Sequence, residues 1–187
     1  MNVIIFGPPG AGKGTQSNNI VKKFNLFQIS TGDLLRDEVK KQTVIGKDIE
    51  NIISKGDFAT DEIVNELIKN VVSDPKKKNK LIFDGYPRSL SQAKNLNFLL
   101  NNSKQKIDFI FFLNVKKDTI IERIEKRKIL EKRADDNLST ILKRYDTYME
   151  TTKPVLDFYS ENSNFYEIDG GGKIDEISGK IEQILRV

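Results

Sequence analysis

Short apolar runs alternate along this chain with stretches whose apolar residues recur every three or four positions. Val3-Ile4-Ile5-Phe6 has the character of a buried strand and is ended by Gly7-Pro8-Pro9-Gly10. Ile20, Val21 and Phe24 then share one helical face, and Leu26 to Ile29 reads as a second strand. Thr31 is placed to cap a helix over 32–36; Ile45, Ile49, Ile52 and Ile53 predict another, stopping at Gly56. Thr60-Asp61-Glu62 opens a helix that turns Ile63, Val64, Leu67, Ile68, Val71 and Val72 inward. Leu81-Ile82-Phe83 predicts a strand delivering Asp84, and the apolar positions from Leu90 to Leu100 predict a helix. Phe109 to Leu113 is the most apolar run and predicts a central strand, followed by a helix through Ile120, Ile121 and Ile124. Leu138 to Met149 begins a long helix that Pro154 would kink. Phe165 to Ile168 makes a last strand, and Ile174 to Ile184 a closing helix.

Strands too apolar to face water, alternating with helices, predict a five-stranded parallel sheet with helices on both faces. Two stretches break the rhythm. Residues 30–59 hold two helices where one crossover would serve, and residues 126–136 form a charged connector without glycine.

Composition narrows the chemistry. A chain of 187 residues makes one domain, and with no Cys and no His it has no thiolate nucleophile, histidine base, thiolate zinc site or disulfide frame. The net charge of +4 comes from 31 Lys and Arg against 27 Asp and Glu. Only seven of the cations are Arg: Arg36, Arg88, Arg123, Arg127, Arg133, Arg144 and Arg186. Arg grips a phosphate with a planar fork, whereas Lys is a hydrated point charge, so the placing of these seven matters more than the total. The Lys76-Lys77-Lys78 run follows Asp74-Pro75 as a solvated turn and carries no aromatic signature of RNA binding. No apolar stretch of about 18 residues suggests a membrane span, and Met1-Asn2-Val3 enters a strand without a secretory leader; the expected compartment is the cytoplasm.

The strongest motif is Gly7-Pro8-Pro9-Gly10-Ala11-Gly12-Lys13-Gly14-Thr15, a G-x-x-x-x-G-K phosphate loop between a strand and a helix. Its glycines let main-chain N–H groups turn toward a phosphate, the helix end adds positive charge, and Lys13 reaches the outer phosphates. Gly14 stands where Ser or Thr is usual, and the hydroxyl comes one residue later at Thr15, which weakens a direct role for Thr15 on Mg²⁺. Asp84 at a strand end is the natural carboxylate for that ion. The chain contains no N-K-x-D, which disfavours a guanine-nucleotide switch.

Beyond the loop the chain resembles the adenylate kinase family, nucleoside monophosphate kinases of the P-loop fold. The resemblance rests on Gly7 to Gln16, on Ser30-Thr31-Gly32-Asp33-Leu34-Leu35-Arg36, on Asp84-Gly85-Tyr86-Pro87-Arg88 with Gln92, and on Arg133-Ala134-Asp135-Asp136-Asn137 with Arg144. It implies transfer of the terminal phosphoryl group of ATP to AMP, giving two ADP, with Mg²⁺ carried by ATP. It also implies one kinase domain over 1–187, with a core of 1–29, 60–125 and 137–187. Residues 30–59 would be the AMP-binding insertion, and 126–136 a lid too short, and without the Cys or His, for a structural zinc.

The resemblance also supplies roles. Gly10, Ala11, Gly12, Lys13, Gly14, Thr15, Arg123, Arg127 and Gly172 would hold ATP. Thr31, Arg36, Asp57, Phe58, Ala59, Gly85, Tyr86, Pro87, Arg88, Gln92, Arg133 and Arg144 would hold AMP. Lys13, Arg88, Arg123, Arg133 and Arg144 would steady the transferred phosphoryl group, Asp84 would hold Mg²⁺ through water, and Asp135 and Asp136 would fasten the closed lid. The partners expected are ATP, AMP and ADP, with a monomer acting on no nucleic acid or membrane. The rivals are a uridylate/cytidylate kinase of the same fold, against which Thr31 and Gln92 count, an ATP-driven regulatory protein and a basic nucleic-acid module.

Overall fold

A computed structural model describes residues 1–54, 59–131 and 138–186. Five strands run in chain order as β1 (Val3–Phe6), β2 (Phe27–Ser30), β3 (Leu81–Asp84), β4 (Phe109–Asn114) and β5 (Phe165–Asp169). They pair in the order β2-β3-β1-β4-β5, every pair parallel. The helices are α1 (Lys13–Phe24), α2 (Thr31–Lys40), α3 (Val44–Ser54), α4 (Asp61–Val72), α5 (Leu90–Asn102), α6 (Lys117–Glu131), α7 (Leu138–Thr147), α8 (Lys153–Ser160) and α9 (Ile174–Leu185).

Alternation along β1 divides the core in two. Ile4 and Phe6 face one layer with Ile29, Phe83 and Ile110, against residues of α2–α5 and α8. Val3 and Ile5 face the other with Ile82, Phe111 and Leu113, against α1, α6 and α9. Burial on both faces is why the central strands β1, β3 and β4 are nearly continuous apolar runs, whereas the edge strands β2 and β5 are partly exposed and carry polar residues. Both layers leave the carboxyl ends of β1 and β3 side by side, with Ile5 opposite Asp84 in the register. That is where ligands of open parallel sheets bind.

Three local expectations are corrected. The cap of α2 is Ser30, whose hydroxyl accepts the Asp33 N–H at 3.3 Å; Thr31 is the first helical residue and spends its hydroxyl on the Gly85 carbonyl. Helix α6 runs on to Glu131, through the first part of the expected connector, because 126–131 offers good helix formers with neither Gly nor Pro to stop them. The long helix after Leu138 is broken before Pro154, by a π-turn over Tyr148–Thr152; Pro154 sits in the first turn of α8, where its missing N–H costs nothing.

Candidate active site

The phosphate loop turns where two glycines hold left-handed backbone, Gly10 at φ +80° and Gly12 at +94°. Gly10 also lets the loop sit against α6, since a Cβ there would fall 2.8 Å from Ile124 Cγ1. Helix α1 starts at Lys13 and aims its N-terminus at the space the loop encloses. The Lys13 ammonium folds over its own loop, donating to the carbonyls of Gly7 at 2.8 Å and Pro8 at 3.1 Å. Burial lowers its pKa to about 8, Asp84 works against that shift, and Arg88, Arg144 and Arg127 add to it.

Asp84 leaves β3 beside this loop. A Cβ on Gly14 would stand 3.5 Å from Asp84 Oδ2, so the residue after the lysine lies against the carboxylate. Gln28 of β2 donates its amide to the same oxygen at 3.0 Å. Burial raises the Asp84 pKa, while Lys13 and Gln28 pull it down. Among the described residues no group of three or more carboxylates could hold a metal alone. A lone carboxylate next to a phosphate loop suits a hard cation that arrives on phosphates and keeps most of its water.

The loop, Asp84 and five arginines line one cleft of about 610 Å³. Arg88 is fixed at its root: its Nε–H donates to the Gly85 carbonyl at 2.6 Å, and its N–H to Gln92 Oε1 at 2.7 Å. Burial lowers its pKa to about 10, helped by Arg144 and Arg36 and opposed by Asp84. Arg144 in the last turn of α7 and Arg127 on α6 face the same space. Arg123, on α6, bridges two loops, donating to the carbonyls of Ala11 (3.3 Å), Gly170 (2.8 Å) and Gly172 (3.4 Å). Arg36 lies at the rim, paired with Asp33 at 2.6 Å. So many converging cations, with one carboxylate among them, make a receptor for more than one phosphate chain.

Other expected residues lie differently. Gly85 and Pro87 line the cleft and Thr15 is exposed beside it, but Tyr86 is wholly buried, its single O–H shared between Asn65 Oδ1 at 2.9 Å and the Gln92 carbonyl at 3.2 Å. Gln92 is buried too, its oxygen taken by the Arg88 N–H and its amide donating to Asp61 at 2.7 Å. Thr31 and Ala59 are buried, and Gly172 is exposed at the Arg123 end. Asp57, Phe58, Arg133, Asp135 and Asp136 fall outside the described residues. Sequence reasoning missed Gln28, although it is the one polar side chain in the Leu26–Ile29 run. It also missed Tyr148, Thr152 and Ile174, which line the cleft. No local pattern marks the first two; Ile174, more than half exposed at the start of a helix, is an apolar side chain that needs a partner.

A phosphate loop with an acidic strand end beside it and guanidinium groups opposite defines a P-loop phosphotransferase. The adenylate kinase family model matches residues 5–164. Relatives named adenylate kinase agree along the whole chain: that of Pelagibacter ubique is 52% identical over 213 aligned positions, covering 100% of both proteins. That of Parabacteroides distasonis is 41% identical over 185, covering 99% of this chain and 97% of its own length, and that of a Nocardioides species is 36% identical over 187, covering 100% and 98%. The chain belongs to the adenylate kinase family.

Proposed function

We propose that this protein moves the terminal phosphoryl group of Mg-ATP onto AMP, reversibly, giving two ADP, as a cytoplasmic monomer. One observation carries the reading: the cleft has a cationic group on each side of the transfer point. Lys13 lies on the loop, and Arg88 and Arg144 face it from the β3–α5 connection and from α7. An enzyme that only hydrolysed ATP needs no second anion site.

In this reading ATP lies along the loop, with its phosphates under the main-chain N–H groups of Gly10 to Thr15. Lys13 gives up the Gly7 and Pro8 carbonyls for the β and γ oxygens. The base reaches toward Gly172 and Arg123, with Arg127 nearer the phosphates. AMP lies on the side of Arg36, Thr31 and Gly85, its phosphate on Arg88 and Arg144. Asp57, Phe58, Ala59, Tyr86, Pro87 and Gln92 shape its base pocket, and Arg133 completes the cationic ring. An AMP phosphate oxygen attacks the γ phosphorus, and the bond to the β–γ bridging oxygen breaks, leaving its electron pair on ADP. Asp84 would hold Mg²⁺ through water, and the ion carried in on ATP would supply positive charge against the phosphates.

The attacking oxygen is already an anion, so no base is needed, which suits a chain without histidine. The protein's share is orientation, worth about 7–11 kcal/mol, and fixed positive charge in a site kept from water. Residues 30–59 and 126–136 serve as the two covers, Asp135 and Asp136 fastening the second. One chain supplies both walls, so the reaction asks for no second copy.

The test is to give the protein Mg-ATP with AMP, UMP or CMP and to measure diphosphate formation. Fast conversion with AMP alone is expected. Preference for UMP or CMP moves the protein to the pyrimidine branch of the fold, and hydrolysis indifferent to any acceptor overturns the reading.

A further inference from the structure

Three threonine hydroxyls at the π-turn between α7 and α8 behave differently, Thr147 as the last residue of α7 and Thr151 and Thr152 within the turn. Thr147 donates back to the Lys143 carbonyl at 2.9 Å, and Thr151 to the Thr147 carbonyl at 2.8 Å. Both bonds stay within the helix, four residues back, which is the usual resort of a helical threonine. Thr152 leaves its helix. Its hydroxyl crosses to the main-chain carbonyl of Arg88 at 3.1 Å, and the residue is 3% exposed while its two neighbours face solvent.

This bond completes a frame around Arg88. The N–H of residue 88 is held by Gln92 of α5, its Nε by the Gly85 carbonyl, and its carbonyl by Thr152. The third of these tethers ties Arg88 to the stretch of chain that bears Arg144, one turn before the π-turn. A π-turn adds a residue to one turn of helix and so rotates the residues beyond it; here it brings Thr152 round to the cleft.

We infer that Thr152 is a positioning residue of the phosphoryl-transfer site: its hydroxyl sets the Arg88 guanidinium relative to Arg144. It acts through Arg88. The inference rests on the proposed roles of Arg88 and Arg144 in phosphoryl transfer. Because both guanidinium groups must meet one phosphoryl group, a shift of about 1 Å between them is expected to cost turnover more than binding.

The experiment compares Thr152→Val, which keeps the shape and removes the hydroxyl, with Thr152→Ser, which keeps the hydroxyl. For each, kcat, KM for ATP, KM for AMP and the melting temperature are measured. The valine variant is expected to lose about ten- to hundredfold in kcat, with KM for ATP within about twofold. The serine variant is expected to keep kcat within about threefold of the native value. In an Arg88→Lys background the valine change should lose most of its effect, since the two act as one unit. Native kcat in the valine variant overturns the inference. So does an equal loss in the serine variant, or an undiminished loss in the Arg88→Lys background. If the valine variant does not fold, Thr152→Ala is read on the same terms. The native protein is assayed alongside: its failure to use AMP sinks the functional reading, whereas native activity with an intact valine variant sinks only the role of Thr152.

Discussion

The two walls of the cleft are built by opposite means. The wall made by β1 and α1 is main chain: a loop shaped by Gly10 and Gly12, a helix end, and a single lysine. The facing wall is side chain: Arg88, from the loop after β3, and Arg144, from α7, with the main chain of Arg88 held by Gln92 nearby and by Thr152 from far along the sequence. The main-chain wall has no room for an added atom at Gly10, and a side-chain wall fails when an atom is lost. Lys13 is the exception on its side, a side chain whose charge cannot be supplied by peptide groups.

That exception gives the largest expected effect. Lys13→Met should lower turnover about 10²–10³-fold, the usual cost of losing one preorganised charge donor at a transfer site. Because burial lowers the Lys13 pKa to about 8, its charge is poorly accommodated before substrate arrives. The variant should therefore melt no lower than the native protein. A matched loss of kcat and melting temperature would mean that Lys13 holds the loop together, and the contrast between the walls would weaken.

Adding an atom tests the main-chain wall itself. Gly10→Ala places a methyl group against Ile124 on backbone at φ +80°. The expected cost is about 1–3 kcal/mol of stability, since neither the packing nor the backbone accommodates a Cβ. Chemical denaturation measures it. A cost below about 0.5 kcal/mol would show that the loop yields, contrary to a wall without spare room.

The same difference decides what could be read before the structure. A main-chain site has to be written contiguously, because its glycines, lysine and helix start stand next to one another; Gly7 to Thr15 was legible for that reason. The parallel sheet was legible too, because strands buried on both faces must be apolar throughout, as Val3–Phe6 and Phe109–Leu113 are. The side-chain wall is assembled across the fold. Arg88 and Arg144 could be named only through resemblance, and the link between them through Thr152 has no signature, since its neighbours Thr147 and Thr151 are chemically the same residue. Ser30 and Thr31 show a similar limit at short range. Either could cap α2, and the choice is made by the Gly85 carbonyl, just past the end of β3.

Acidity separates the walls more gently. With its pKa at about 8, Lys13 in the empty protein loses its proton above that pH, whereas a bound polyphosphate raises the pKa again. ATP binding then takes up a proton, and affinity should be full below about pH 8 and fall by up to tenfold per unit above it. Stability of the empty protein should move the other way. Between about pH 8 and the ordinary lysine value the unfolded chain binds more protons than the folded one, so this group's contribution to stability rises with pH. Calorimetric titrations in two buffers of unlike ionisation enthalpy read the proton uptake directly. Equal observed heats in the two buffers, with affinity flat from pH 7 to 9, would mean that Lys13 keeps its proton throughout.

The smallest effect expected lies at Tyr148, at the head of the π-turn. Its ring is buried, and its hydroxyl has no hydrogen-bond partner among the described residues. Burial pushes its pKa well above the ordinary tyrosine range, with Tyr145 adding to the shift. A buried hydroxyl without a partner costs free energy, so Tyr148→Phe, which removes only that oxygen, should stabilise the protein by about 1 kcal/mol. In a domain of this size that is a rise of about 2–4 °C in melting temperature. Thr152, four residues on, should show the reverse under Thr152→Val, because its hydroxyl is paired. Opposite signs from two hydroxyl deletions within one turn would show that the side-chain wall depends on which atoms are bonded rather than on how much is buried. A fall in stability for Tyr148→Phe would place an ordered water on that oxygen and join it to the frame that holds Arg88.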